Sequence, residues 1–197
     1  MFKLFILPLF LLFSFNTYSQ EADFIDLIFE NKKDLLLAAT VGDSDKVNHN
    51  KYYLLSKTAK WLPERFSKLN DSNRIEPKYR LYILLDKWID SCFSITEKNH
   101  LVNQIKNSTT HHLKSSYKNI DVVNSINGIN YSYIYQLTQP AYTTDSSYAL
   151  IDVSVYFPNE GDKSIEDGHE AQMLFVFKRI EKNTWIIEKR RTTVLIY

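Results

Sequence analysis

Alternation of apolar residues between Ile129 and Tyr197 constrains this chain more than any other feature. From Ala149 to Phe157 every second residue (Ala149, Ile151, Val153, Val155, Phe157) is apolar, while the intervening positions are mixed. This is the period of a strand with one dry face. An earlier run places Ile129, Tyr131, Tyr133, Tyr135 and Leu137 on one side, and a later one Met173, Phe175 and Phe177. Connections of hairpin length join the runs, so the expected sheet is antiparallel, closing with Thr192 to Tyr197.

The N-terminal half reads differently. Phe24, Leu27, Ile28, Leu35 and Ala38 recur at helical spacing, Gly42 to Asn50 is a loop, and Tyr52 to Leu55 fits either a short strand or a helix lead-in. Leu81, Leu84, Leu85, Trp88, Ile89 and Cys92 form a wide apolar stripe over Pro77 to Phe93. Ser94 with Glu97 three residues on predicts a capped helix carrying Leu101, Val102 and Ile105, stopped at Asn107. From His111 the helical period disappears. The expectation is a single α+β domain over residues 20–197, with a helix-rich part (20–110) packed on a strand-rich antiparallel meander (111–197).

Residues 1–19 carry Lys3, an apolar run from Leu4 to Phe15, and small residues Thr17 and Ser19 before Gln20. This is the layout of a secretory signal peptide, and the run falls short of the roughly 20 apolar residues of a membrane span. No cysteine stands at the cleavage site for lipidation. The expected location is periplasmic or extracellular, without a lipid anchor. Removing the leader takes away only Lys3, leaving 23 cations against 23 carboxylates. A neutral chain has no general attraction to nucleic acid or to anionic membranes. Cys92, the single cysteine, reads as a small buried hydrophobe on the helical stripe.

No motif for a reaction or a cofactor is present. His169 and Glu170 begin an H-E-x-x pattern, but Met173 stands where a zinc helix needs its second histidine. His111 and His112 are adjacent and point to opposite sides of an extended chain. His49 and His100 lie in polar contexts. Asp86 and Asp90, one helical turn apart beside Lys87, read as a solvated face. Val47 breaks the calcium-loop series that Asp43 and Asp45 begin. With four glycines in the chain, no phosphate loop, dinucleotide fingerprint or nucleophile elbow is found. No metal and no cofactor is expected.

Two clusters remain as candidate contacts. Tyr131, Tyr133 and Tyr135 could line a groove for a flat or apolar ligand, although a sheet covered by helices needs large side chains there in any case. Lys189, Arg190 and Arg191 form a basic stretch near a sheet edge, suited to discouraging aggregation or to meeting an acidic partner.

The stretch from Leu137 to Trp185 resembles the C-terminal part of small exported bacterial proteins of unknown function. The residues concerned are Gln139-Pro140, Asp145, Tyr148-Ala149-Leu150-Ile151, Phe175-Val176-Phe177-Lys178 and Trp185. The family pattern runs Ser-x-Pro, Asp, Tyr-Ala-Leu-Val and Asn-Gly-x-Trp. This chain departs from it at Gln139 and at Asn183-Thr184, where Asn183 still permits a left-handed turn. The resemblance implies export and a sheet, and it brings no catalytic residues. The expected function is therefore a non-catalytic binding or interaction domain of the cell envelope or extracellular space. The rival is a ligand-pocket protein or enzyme with the cone-shaped cavity of nuclear-transport-factor-like folds.

Overall fold

A computed structural model describes residues 23–30, 52–61, 88, 91–129, 132–157 and 169–194. Helix α1 covers 23–30, β1 Tyr52–Leu55, α2 Ile95–Lys106, β2 Asp121–Val123, β3 Tyr133–Leu137, β4 Ala141–Tyr142, β5 Tyr148–Phe157, β6 His169–Glu181 and β7 Thr184–Val194. The seven strands form one sheet in the order β2-β1-β3-β5-β6-β7, with β4 paired beside β5.

This arrangement overturns the expected α+β division into a helical half and an antiparallel meander. Among the described residues strand outweighs helix about two to one, and the sheet is mixed. Strand β1, from the half expected to be helical, sits inside the sheet and pairs in parallel with both β2 and β3. Its four residues are too few to display a period, and neighbours on both sides bury Tyr52, Leu54 and Leu55 alike, which erases alternation. The antiparallel part is confined to β3-β5-β6-β7 and the β4 arm. The Pro77 to Phe93 stripe lies largely outside the described residues, as do 31–51.

Residues of β5 show why the sheet is thick. Ala149, Ile151, Val153 and Val155 join the core under α1, and Leu150 joins the one under α2. The first face is fully buried, while on the second Tyr148, Asp152 and Tyr156 are half-buried. Helix α1 presents Phe24, Ile25, Ile28 and Phe29, all buried, to the first face. Phe24 reaches Phe177 and Trp185 with ring centroids 4.6 and 5.0 Å away, while Phe29 meets Tyr135 edge-on at 5.1 Å. On the other face Leu101 and Ile105 of α2 pack with Trp61, Phe93, Ala141 and Val176. The link from β2 to β3 must cross β1, and it places Ile126 against Leu55 and Ile134.

The capped helix forms where the sequence placed it. Ser94 is extended (φ −63°, ψ 162°), its hydroxyl accepts from the Glu97 N–H at 3.2 Å, and Asn107 is the C-cap. The Glu97 carboxylate turns outward and accepts the Thr144 N–H at 2.9 Å. Gln104 also grips the sheet, since its amide donates to the Tyr142 carbonyl and accepts the Tyr142 N–H at 3.1 Å. One polar side chain thus completes both backbone groups of Tyr142.

Candidate functional site

Tyr133 and Tyr135 project from β3 into the α1 face, opposite Tyr52 and Leu54 of β1. Tyr52 lies parallel to Tyr133 (centroids 6.2 Å apart, 15° between planes) and 6.3 Å from Tyr135. Tyr133 is 3 % exposed and Tyr135 fully enclosed. The phenols are thus part of the packed core. Tyr131 lies outside the described residues. Burial raises the pKa of all three phenols, most strongly for Tyr135, where Tyr52 and Tyr133 add to the effect. Among the described residues the Tyr135 hydroxyl has no hydrogen-bond partner, nor has Asp26 Oδ1 or Trp185 Nε1.

The basic stretch lies on β7. Lys189 and Arg190 are exposed and stand opposite Val176 and Phe175 of β6, and Arg191 stands opposite Leu174. The Lys189 ammonium lies 5.9 Å from the centre of the Trp88 ring. Two register shifts interrupt the β6–β7 ladder. One leaves Glu188 without an opposite residue and the other leaves Ile180 so. Asn183 does not use the left-handed region, since Ser146 (φ 55°) is the one described non-glycine residue with positive φ. The shift at Ile180 closes the turn instead.

Sequence reading missed a polar cluster that ties the 57–61 segment to residues far along the chain. Thr58 Oγ1 accepts the His111 N–H at 2.9 Å and lies 3.2 Å from His111 Nδ1. Gln139 Nε2 donates to the same Nδ1 at 2.9 Å, and Trp61 Nε1 donates to the Gln139 carbonyl at 2.7 Å. A threonine beside an imidazole suggests an activated hydroxyl, but Thr58 is 1 % exposed and its oxygen already serves the backbone. The cluster is a clamp. No local pattern could have revealed it, because its members come from three separate segments.

A second polar knot occupies the loop between β4 and β5. Asp145 accepts the Ser147 N–H at 2.9 Å and the Thr143 hydroxyl at 2.8 Å, and these bonds hold its pKa down at about 2. The bond from Thr144 lowers that of Glu97 likewise. Asp23 moves upward, through burial and then through Asp26, with Lys114 opposing. Among the described residues no group of three or more His, Cys, Asp or Glu could hold a metal ion. His169 stands in β6 opposite Phe157, and Met173 belongs to the core. Cys92 is exposed rather than buried, because Phe93 takes the inward place and packs edge-on against Trp88 and Tyr148.

The geometry defines a mixed-sheet domain with a helix on each face, and the β6–β7 hairpin carries exposed Ile180, Ile186 and Ile187 beside exposed Lys189 and Arg190. No protein-family model matches the chain, and no curated protein or solved structure matches it. No helix among the described residues is long and apolar enough to cross a membrane.

Proposed function

We propose that this chain is an exported, non-catalytic binding domain of the cell envelope or extracellular space that meets its partner through the β6–β7 end of the sheet. The observation that carries this reading is where the large exposed hydrophobics lie. Among the described residues three of the four, Ile180, Ile186 and Ile187, are on that hairpin. Tyr133 and Tyr135, two of the tyrosines that could have lined a groove, are instead packed among core side chains. The leader-like residues 1–19 and the resemblance over Leu137 to Trp185 support export.

One observation favours the rival pocket reading. An enclosed phenol with no partner, at Tyr135, is the kind of group a bound molecule or a buried water satisfies. Native mass spectrometry of the protein recovered from its own host separates the two. The interaction reading expects a chain beginning at Gln20, found outside the cytoplasm, at the mass of the polypeptide alone. A small-molecule adduct that disappears on Tyr133→Ala, or a cytoplasmic chain with its leader intact, sinks it.

A further inference from the structure

Strand β5 pairs with β6 as far as Tyr148 opposite Lys178, and the β6–β7 hairpin runs on to Glu181 opposite Thr184. Tyr148, Lys178 and Ile186 stand opposite one another, so they form one row across three strands. The row lies at the margin of the core under α2, where Tyr148 meets Phe93 edge-on. Ile186 is 38 % exposed, and Ile180, the extra residue of the bulge beside the row, is 53 % exposed. Lys189 is exposed opposite Val176, with half-buried Trp88 beside it, and Lys182 is exposed at the turn. Ile187 stands opposite Phe177 and belongs to the other face.

Composition decides what this end can meet. Interfaces between proteins are depleted of lysine and draw their cations from arginine. The one arginine between Lys178 and Lys189 is engaged, since Arg179 donates to the Asp145 carbonyl at 3.0 Å and lies 5.7 Å from the centre of the Trp185 ring. An anionic lipid surface, by contrast, attracts lysine, whose stem lies along the acyl boundary while the ammonium stays among the phosphates. Isoleucine, tyrosine and tryptophan suit the same boundary. From Lys178 to Lys189 the chain holds four cations and two carboxylates, whereas the whole chain holds 24 against 23. The excess is local, so the near-neutrality of the whole chain does not decide what this end attracts. Glu181 and Glu188 weaken the attraction without reversing it. A second copy would bring like charge against like.

We infer that this end of the hairpin docks on an anionic lipid surface, with Ile180 and Ile186 at the acyl boundary and Lys178, Lys182 and Lys189 among the headgroup phosphates. The contact is a surface attachment rather than a span. This inference rests on the interaction reading above and names the partner.

The test uses the chain from Gln20, so that the apolar run of residues 4–15 supplies none of the binding. Its probes are vesicles of phosphatidylcholine alone and vesicles of phosphatidylcholine mixed with phosphatidylglycerol. Co-sedimentation is expected with the mixed vesicles only, weakening as salt shortens the Debye length from ~30 Å toward ~8 Å. One lysine near an anionic surface contributes about fivefold, so Lys182→Gln/Lys189→Gln is expected to weaken binding by about tenfold or more. Ile180→Ser weakens it as well. Lys106→Gln/Lys118→Gln, which removes the same charge from exposed positions elsewhere, leaves it unchanged. All five positions are exposed, and an unchanged urea midpoint checks that each variant folds. No binding to mixed vesicles, equal binding to phosphatidylcholine alone, or an equal loss in the Lys106/Lys118 variant overturns the inference. So does a concentration-dependent dimer abolished by Ile180→Ser, which makes a second copy the occupant. A photo-crosslinking residue placed at 180 in the host protein tells this failure from that of the parent reading. A protein captured there, without vesicle binding, overturns the lipid inference and leaves the interaction domain standing. No captured protein and no vesicle binding removes both.

Discussion

The hydroxyl of Tyr135 is enclosed by the core and has no hydrogen-bond partner among the described residues. An unmet buried polar group costs about 1–3 kcal/mol, and removing the group removes the cost without opening a cavity. Tyr135→Phe is therefore expected to leave the urea midpoint unchanged or to raise stability by about 1 kcal/mol. A loss of that size instead would reveal a partner for the phenol, a buried water or a ligand, and would strengthen the pocket reading. The residue was legible as a large aromatic on a strand, and its enclosure was not. Alternation tells which residues share a face but not which face is covered. Cys92 shows the same limit in reverse. It continues an apolar stripe in sequence, yet the next residue, Phe93, takes the core position.

At the scale of elements, α2 was readable because its signals are local. Ser94 supplies an N-terminal acceptor, Leu101 and Ile105 share one face, and Asn107 ends the helix. Ser94→Ala is expected to cost about 1 kcal/mol, read as a shift of the thermal or urea midpoint. A shift near zero would mean that tertiary contacts alone hold this terminus. Only half of the expected capping box forms, because the Glu97 carboxylate spends its acceptor on Thr144, forty-seven residues away. Strand β1 was undecidable for the opposite reason. It takes its place in the sheet by pairing with β2 and β3, which lie far along the chain, and nothing in four consecutive residues encodes those neighbours.

Across the whole molecule, the order of strands sets the order of local stability. Strands β5 and β6 are flanked on both sides, while β2 and β7 close the two ends. Native-state hydrogen exchange is expected to be slowest in β5 and β6 and fastest at β2 and at the outward-facing amides of β7. Uniformly slow exchange along β7 in the isolated protein would mean that its edge is already covered. The chain's own pattern settled several features: the long strands β5 and β6 and their antiparallel pairing, the cap of α2, and the apolar face of α1. Each rests on residues within a few positions of one another, where backbone geometry fixes which side chains share a face. Tertiary structure alone decided that β1 enters the sheet in parallel, that Tyr133 and Tyr135 are core, that Thr58, His111 and Gln139 meet, and that β7 is left at the edge. These depend on contacts between distant segments, made when both faces of the sheet exclude water together, and no local period records them.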